Sequence, residues 1–343
     1  MIHRKRPKTK FEMRNIIHEV KFVKLTNFLS KYALYFILLA LIAFFAFNTD
    51  HFLTSQNAIT IARQVAITGI IAVGMTMVIL TGGIDLSVGA TLGVSAATAA
   101  WLMRAGIHPV LATLAALVLG LVFGLVNGFF INKISLPPLI TTLGTMTALR
   151  GVTMLITDGR GLGVQIGGYR VIGQGNVGFV PVPVIIMVAI FVIGYILLEK
   201  TKFGRYVYGL GDNVEATRLS GVNVKKVSYA VYAFSGLASA LAGIVYLSRL
   251  MSAQPTAGNG YELEVITAVV LGGVSIMGGE GKISLVVIGV LIMGVLENGM
   301  IHMNVPPFYQ WIVRGSVLLL AVSYSKLMEK RRNAALTQST VRK

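Results

Sequence analysis

EKTKFGRYVYGLGDNVEATRLSGVNVKK, residues 199–226, is the only long charge-dense segment in the middle of an otherwise apolar chain. It carries six basic side chains, Lys200, Lys202, Arg205, Arg218, Lys225 and Lys226, and apolar runs long enough to cross a bilayer flank it on both sides. Lys and Arg collect on the cytoplasmic side of membrane proteins, so the segment is expected inside the cell. Within it, Asp212 or Asn213 can cap a short helix beginning near Val214, and Gly221 can end it. The stretch reads as a short rigid helix held at the membrane surface between two spans, suited to pressing on a cytoplasmic partner.

The 343 residues are 55% hydrophobic and only 13% charged, with a mean hydropathy of +0.76. A soluble domain carries about 25% charged residues, so the fold class is an all-α polytopic membrane protein. The net charge of +17 invites a nucleic-acid reading, but its distribution argues against one. Nine basic residues fall in 1–31, six in 199–226 and six in 326–343, out of 30. Basic blocks that bracket apolar spans are a topology signal and an attraction to anionic lipid headgroups. The chain has no cysteine, so no disulfide framework or thiolate metal site is expected. Residues 1–31 are too long and basic for the n-region of a signal peptide. They form a basic cytoplasmic tail, with an amphipathic helix over 11–30 set against the alternative of a disordered basic tail. The membrane domain covers 32–325, and 326–343 is a second basic cytoplasmic tail.

A spanning helix needs roughly 17–25 mainly apolar residues, and ten candidates satisfy this. They lie at 32–48, 58–80, 87–104, 109–131, 139–157, 182–198, 227–247, 263–279, 283–300 and 308–325. An even count puts both basic tails on one side, and a Gly-rich, non-periodic loop fills 158–181. Gly120, Gly124 and Gly128 share one face of the fourth span, the spacing for close helix approach, either within one subunit or at a dimer seam. The Gly-Gly pairs in VILTGGIDLSVGA (78–90) and VVLGGVSIMGGEG (269–281) suggest a duplicated half. Five spans per half would make the halves inverted repeats.

The spacing Glu-Ala-x-x-x-x-Gly at Glu215, Ala216 and Gly221 resembles the coupling segment of ATP-binding-cassette importer permeases. The wider string GRYVYGLGDNVEATRLSGVNV (204–224) is similar to the ribose and monosaccharide branch, although the Leu-Pro pair that often closes the segment is absent. GIIAVGMTMVILTGGIDLSVGA (69–90), GLVNGFFI (124–131), PPLITTLGTMTALRG (137–151) and YELEVITAVVLGGVSIMGGEGKIS (261–284) strengthen the likeness. Gln254-Pro255-Thr256, Gly260 to Leu263, Glu297-Asn298 and Arg314-Gly315 look closest to the pentose, arabinose-type branch. The resemblance covers about 58–325 and implies a permease in the bacterial inner membrane. It implies a second permease subunit, identical or paralogous, two cytoplasmic ATPases and a periplasmic sugar-binding protein. The ATPase would meet Gly204, Arg205, Gly211, Asn213, Glu215, Ala216, Thr217, Arg218 and Gly221. The cargo would be a pentose-like monosaccharide, with a furanose-like signalling molecule of the autoinducer type as the alternative. A passive channel or ion-coupled carrier is the competing class.

No enzyme, cofactor or metal site is expected. The chain has no phosphate loop of the Gly-x-x-x-x-Gly-Lys-Ser/Thr type, and its five histidines are scattered without metal-ligand spacing. Intramembrane polar residues are costly and mark function by default. Asp85 reads either as a cap at the start of the third span or as a gating or ATPase-touching group. Arg150 in the fifth span and Glu297 and Arg314 in the last two should not stand alone. Glu297 is expected to pair with Arg314 or Arg150, as a structural ion pair or as part of the translocation path. Asn127 is expected to make an interhelical hydrogen bond.

Overall fold

The computed structural model describes residues 32–341, with side chains as far as Leu327; the helix expected at 11–30 lies outside the described residues. The chain builds helices α1 (Tyr32–Asn48), α2 (Ser55–Leu80), α3 (Val88–Arg104), α4 (Pro109–Asn132) and α5 (Pro138–Thr157). The short α6 (Arg170–Gln174) precedes α7 (Val182–Tyr195), α8 (Lys202–Asp212), α9 (Val214–Leu219) and α10 (Val224–Leu250). Then come α11 (Tyr261–Leu271), α12 (Ile283–His302) and α13 (Pro307–Val341). Two small antiparallel ribbons complete the chain: β1 (Leu162–Gly163) with β4 (Ser252–Ala253), and β2 (Asn176–Val177) with β3 (Val180–Pro181). Among the described residues six helices are long and apolar enough to cross a membrane: α2, α4, α5, α7 with its extension to Lys200, α10 and α12.

Local chemistry sets the helix ends. Thr54 caps α2 by accepting the Asn57 N–H at 3.3 Å, and Asn223 caps α10 through the Lys226 N–H at 3.0 Å. Pro109 and Pro138 open α4 and α5, where a missing N–H costs nothing. Asp158 and Met251 close α5 and α10 in the left-handed conformation.

Helices α2 and α10 form the buried centre and run antiparallel. Gly74 packs on Ser235 and Gly83 on Tyr232 near one end. At the other end Arg63 donates to the Gln174 carbonyl and the Gln174 side chain donates to the Arg249 carbonyl. The packing repeats with exchanged partners. Helix α4 lies on α10 as α12 lies on α2; α3 packs on α5 and α4 as α11 packs on α13 and α12. The sets α2 to α5 and α10 to α13 thus repeat one packing pattern with α2 and α10 antiparallel, as expected of two inverted halves to which α1 and α7 would add the fifth helices, although α7 packs on α2 without an α1 counterpart on α10. Gly120, Gly124 and Gly128 of α4 face the backbone of α10 at Gly236, Tyr232 and Tyr229, so this stripe is spent inside the subunit.

Several expectations need correction. The span expected at 263–279 stops at Leu271. Eleven residues rise only about 16 Å, roughly half a bilayer core. Gly272 and Gly273, the latter at φ +82°, break the helix, and α11 instead begins inside the bundle. The paired Gly-Gly points are not equivalent either. The segment 81–87 between α2 and α3 corresponds to 251–260 between α10 and α11, whereas Gly272-Gly273 follows α11 and matches the α3–α4 link. The Gly-rich loop expected over 158–181 also holds short elements: β1, a single 3-10 turn at Gly167–Tyr169, α6 and the β2–β3 ribbon. The last helix runs on from Pro307 to Val341, past the expected span at 308–325 and into the basic tail.

Candidate coupling site and buried polar junction

At the end of the bundle that carries 199–226, the final turn after α7 widens into a π turn over Ile196–Lys200. Thr201 then caps α8 by accepting the Gly204 N–H at 3.4 Å. Gly204 is buried with the Leu198 backbone standing where a side chain would be, and Val207 and Leu210 anchor the inner face. Arg205 is exposed on the outer face. At the last turn Gly211 lies directly against the Leu80 carbonyl and the Gly278–Gly279 backbone. The Gly279 N–H donates to the Leu80 carbonyl at 2.9 Å. The end of α2 from the first half and the loop after α11 from the second half thus meet α8 at one point, backbone on backbone. Only glycine fits at 211. The Tyr208 hydroxyl lies 3.0 Å from the Gly281 carbonyl and 3.2 Å from Glu199. Burial first, and the Glu199 charge second, push its phenol up to about 12.

Asn213, extended at φ −157°, breaks the helix and caps α9 by accepting the Ala216 N–H at 2.9 Å. Of the two caps expected, Asn213 is the one used. None of the α9 residues is buried. Glu215 accepts two hydrogen bonds from Arg218, at 2.9 and 2.5 Å, yet the two side chains keep 63% and 58% of their exposure. The hydrogen bond from Arg218 holds the Glu215 carboxyl below its ordinary value. Ala216 is exposed, Thr217 packs over Gly209, and Gly221 at φ +82° ends the element. The product is a firmly seated strut, α8, carrying an exposed knob, α9.

A second cluster lies inside the bundle where α3 and α11 begin. Asp85 is buried; one oxygen accepts the Ser87 N–H at 3.0 Å and its hydroxyl at 2.6 Å, and the other accepts from Ser235 at 2.8 Å. The cap expected of Asp85 is not made: the N-cap of α3 is Ser87, which has no side-chain capping bond, and Asp85 instead holds the Ser87 N–H within the turn before the helix. Asn127 donates to the Ser87 hydroxyl at 2.9 Å and accepts from Thr145 at 2.6 Å. One chain of hydrogen bonds therefore links α10, the 81–87 turn, α4 and α5, and Asn127 makes the interhelical bond expected of it. Nearby, Gly89 of α3 and Gly258 before α11 touch backbone to backbone.

Glu297 pairs with Arg314, as one of the two expected pairings had it. Arg150 instead pairs with Glu262 at 2.7 Å, joining α5 to α11. Sequence reading missed Glu262 and Glu264, although two carboxylates two residues apart at the head of an apolar run were a visible signal. Glu264 accepts from Thr68 at 2.8 Å and lies 3.9 Å from Arg314. Also missed was the buried amide pair Asn57–Asn298, bonded both ways at 2.9 Å, with His302 2.9 Å from Asn57. Nothing in the local sequence marks that pair, because its partners stand 241 positions apart.

The chain is similar to known proteins over most of its length. The profile of the family described as "Branched-chain amino acid transport system / permease component" matches residues 57–322. The chain is 48% identical to the ribose import permease protein RbsC of Bacillus subtilis (strain 168), over 82% of this chain and 87% of that protein. It is 46% identical to the RbsC of Escherichia coli (strain K12), over 83% and 90%. It is 39% identical to the L-arabinose transport system permease protein AraH of the same strain, over 83% and 87%. No solved structure matches the chain. The chain belongs to the branched-chain amino acid transport system / permease component family, as a multi-pass membrane transport subunit rather than an enzyme.

Proposed function

We propose that this chain is the membrane-spanning subunit of an ATP-driven importer and carries a monosaccharide, ribose within the pentose class, inward across the bacterial inner membrane. The observation that carries this reading is the exposed α9 knob on a strut whose Gly211 touches backbone from both halves. A push on α9 from a cytoplasmic ATPase would reach both halves at once. The ribose names of the relatives at 48% and 46% identity, against 39% for the arabinose one, favour ribose as cargo. A soluble sugar-binding protein would deliver it at the opposite end of the bundle, and a second permease subunit would complete the path. Arg150 supports that last point. Its side chain keeps 37% exposure, and a charge within a span faces protein or a water-filled path, not lipid. The exposed α5 face at Gly144, Thr147 and Gly151 beside it belongs to that path or to the second subunit.

The test is ATP-dependent uptake of radiolabelled ribose by vesicles holding the permease, its ATPase and its binding protein. Glu215→Lys should abolish uptake while leaving membrane insertion intact, and unlabelled ribose should compete where arabinose and allose do not. Normal uptake by the Glu215→Lys variant, or uptake without the ATPase, would contradict the reading.

A further inference from the structure

At the end of the bundle opposite the α8–α9 strut, the chain between α6 and α7 folds back on itself in the β2–β3 ribbon. Asn176 pairs with Pro181 and Val177 with Val180, so Gly178, at φ +62°, and Phe179 form the tip. The root is tied down. Arg63 of α2 donates to the Gln174 carbonyl at 2.7 Å and to the Asn176 side chain at 3.1 Å. The Gln174 side chain donates to the Arg249 carbonyl of α10 at 2.7 Å, and the Val182 N–H donates to the Gly175 carbonyl at 2.9 Å. The tip is bare and apolar: Phe179 is 89% exposed and Val177 64%.

The level of the tip follows from α7. With its extension to Lys200 this helix has 19 residues, a rise of roughly 28 Å against a hydrocarbon core of about 30 Å. No charged residue falls between Arg170 and Glu199. With Glu199 and Lys200 at the inner boundary of the core, the outer boundary falls at the first turn of α7. Phe179 stands two residues before Pro181, the N-cap of α7. Two residues reach at most about 7 Å in any direction, and the headgroup layer is about 5–7 Å thick on each side. Phe179 is therefore held at that layer whichever way the ribbon points. Both tryptophans of the chain lie exposed at the same end, Trp101 in the last turn of α3 and Trp311 near the start of α13, as aromatic residues do at a membrane interface.

We infer that the Gly178–Phe179 tip is a membrane wedge, seated in the outer-leaflet interface with lipid as its partner. The bonds at its root give the wedge leverage. They run to α2 of one half and α10 of the other, so a tip held by lipid fixes the level of the junction where the outer ends of the two central helices meet.

The experiment reads depth on the permease alone, so it does not depend on the import reading. The full chain, which has no cysteine of its own, is placed in vesicles of phosphatidylcholine containing one quarter phosphatidylglycerol. A nitroxide on the single thiol of Val177→Cys is exposed to oxygen, which concentrates in lipid, and to a water-soluble nickel chelate. The ratio of oxygen to nickel accessibility should be severalfold higher than for Gln165→Cys, an exposed loop position at the same end. Adding Phe179→Asp to Val177→Cys should bring the ratio down to the Gln165→Cys value, with a monodisperse profile on gel filtration verifying the fold. Equal ratios for Val177→Cys and Gln165→Cys would overturn the inference and leave the tip as a surface for a soluble protein. A high ratio that survives Phe179→Asp would overturn it as well, because α7 alone would then set the depth.

Discussion

The two polar regions of this molecule are opposites. Inside the bundle, Glu264 and Glu297 face Arg314, Glu264 and Asp85 accept from neighbouring hydroxyls, and none of the four side chains is more than about a fifth exposed. On α9, Glu215 and Arg218 bond only across one helical turn and remain open. A buried charge in a bilayer must be matched, so the inner cluster is fixed by stability and specifies how the halves fit together. An exposed pair at a membrane surface contributes little to stability. Its presence on a strut seated by backbone contacts is better explained by what it touches outside the chain.

The contrast can be broken at both ends. Arg314→Ala leaves Glu264 and Glu297 without their cation, and breaking a buried pair costs roughly 3–5 kcal/mol. Thermal unfolding in detergent should show a larger destabilisation for this variant than for Gly211→Val, Asp85→Ala or Arg218→Ala. Gly211→Val should come next in consequence but differ in kind. It drives a side chain into the Leu80 carbonyl and the Gly279 N–H, so uptake should be lost while α2 and α10 stay folded by hydrogen exchange. Asp85→Ala leaves the Ser235 hydroxyl and the Ser87 N–H without their acceptor, at roughly 1–3 kcal/mol. Arg218→Ala, the exposed counterpart of Arg314→Ala, should leave the unfolding temperature unchanged. If instead it destabilised the chain as much as Arg314→Ala, the distinction drawn between the two regions would be wrong.

The smallest expected effect is one of pH. The Glu215 carboxyl is held below its ordinary value of 4.5 by Arg218. A depressed carboxyl contributes fully above its ordinary value and loses that contribution as pH falls through the lowered one. The protection factor over 214–219, with the intrinsic pH dependence of amide exchange divided out, should therefore be flat from neutral pH down to that ordinary value and fall only below it. A change near neutral pH would point to a different partner for Glu215.

Much of this was legible in the sequence. Hydropathy placed most of the ten expected segments on helices to within a few residues, although only six of those helices among the described residues are long and apolar enough to span, and the basic blocks marked 199–226, where α8 and α9 sit. Asn213 and Gly221 marked α9 because caps and left-handed glycines are local devices. What sequence hid is non-local. The broken character of α11 was masked because Val274, Ile276 and Met277 keep the run apolar after the helix has stopped at Gly272. Arg150 could be assigned a need for a partner but not Glu262 as that partner, since 112 positions separate them. The Ser235 and Thr145 hydroxyls look like ordinary small residues of a membrane helix until the fold brings them to Asp85 and Asn127.

The central claim is that α9 is the surface through which an ATPase drives the bundle from the cytoplasmic side. The natural absence of cysteine makes one measurement decisive: Ala216→Cys provides a single thiol on the exposed knob. In sealed, right-side-out vesicles that thiol should resist a membrane-impermeant maleimide, react once the membrane is opened, and cross-link to the ATPase in the assembled complex. Labelling from the outside of intact vesicles would contradict the account.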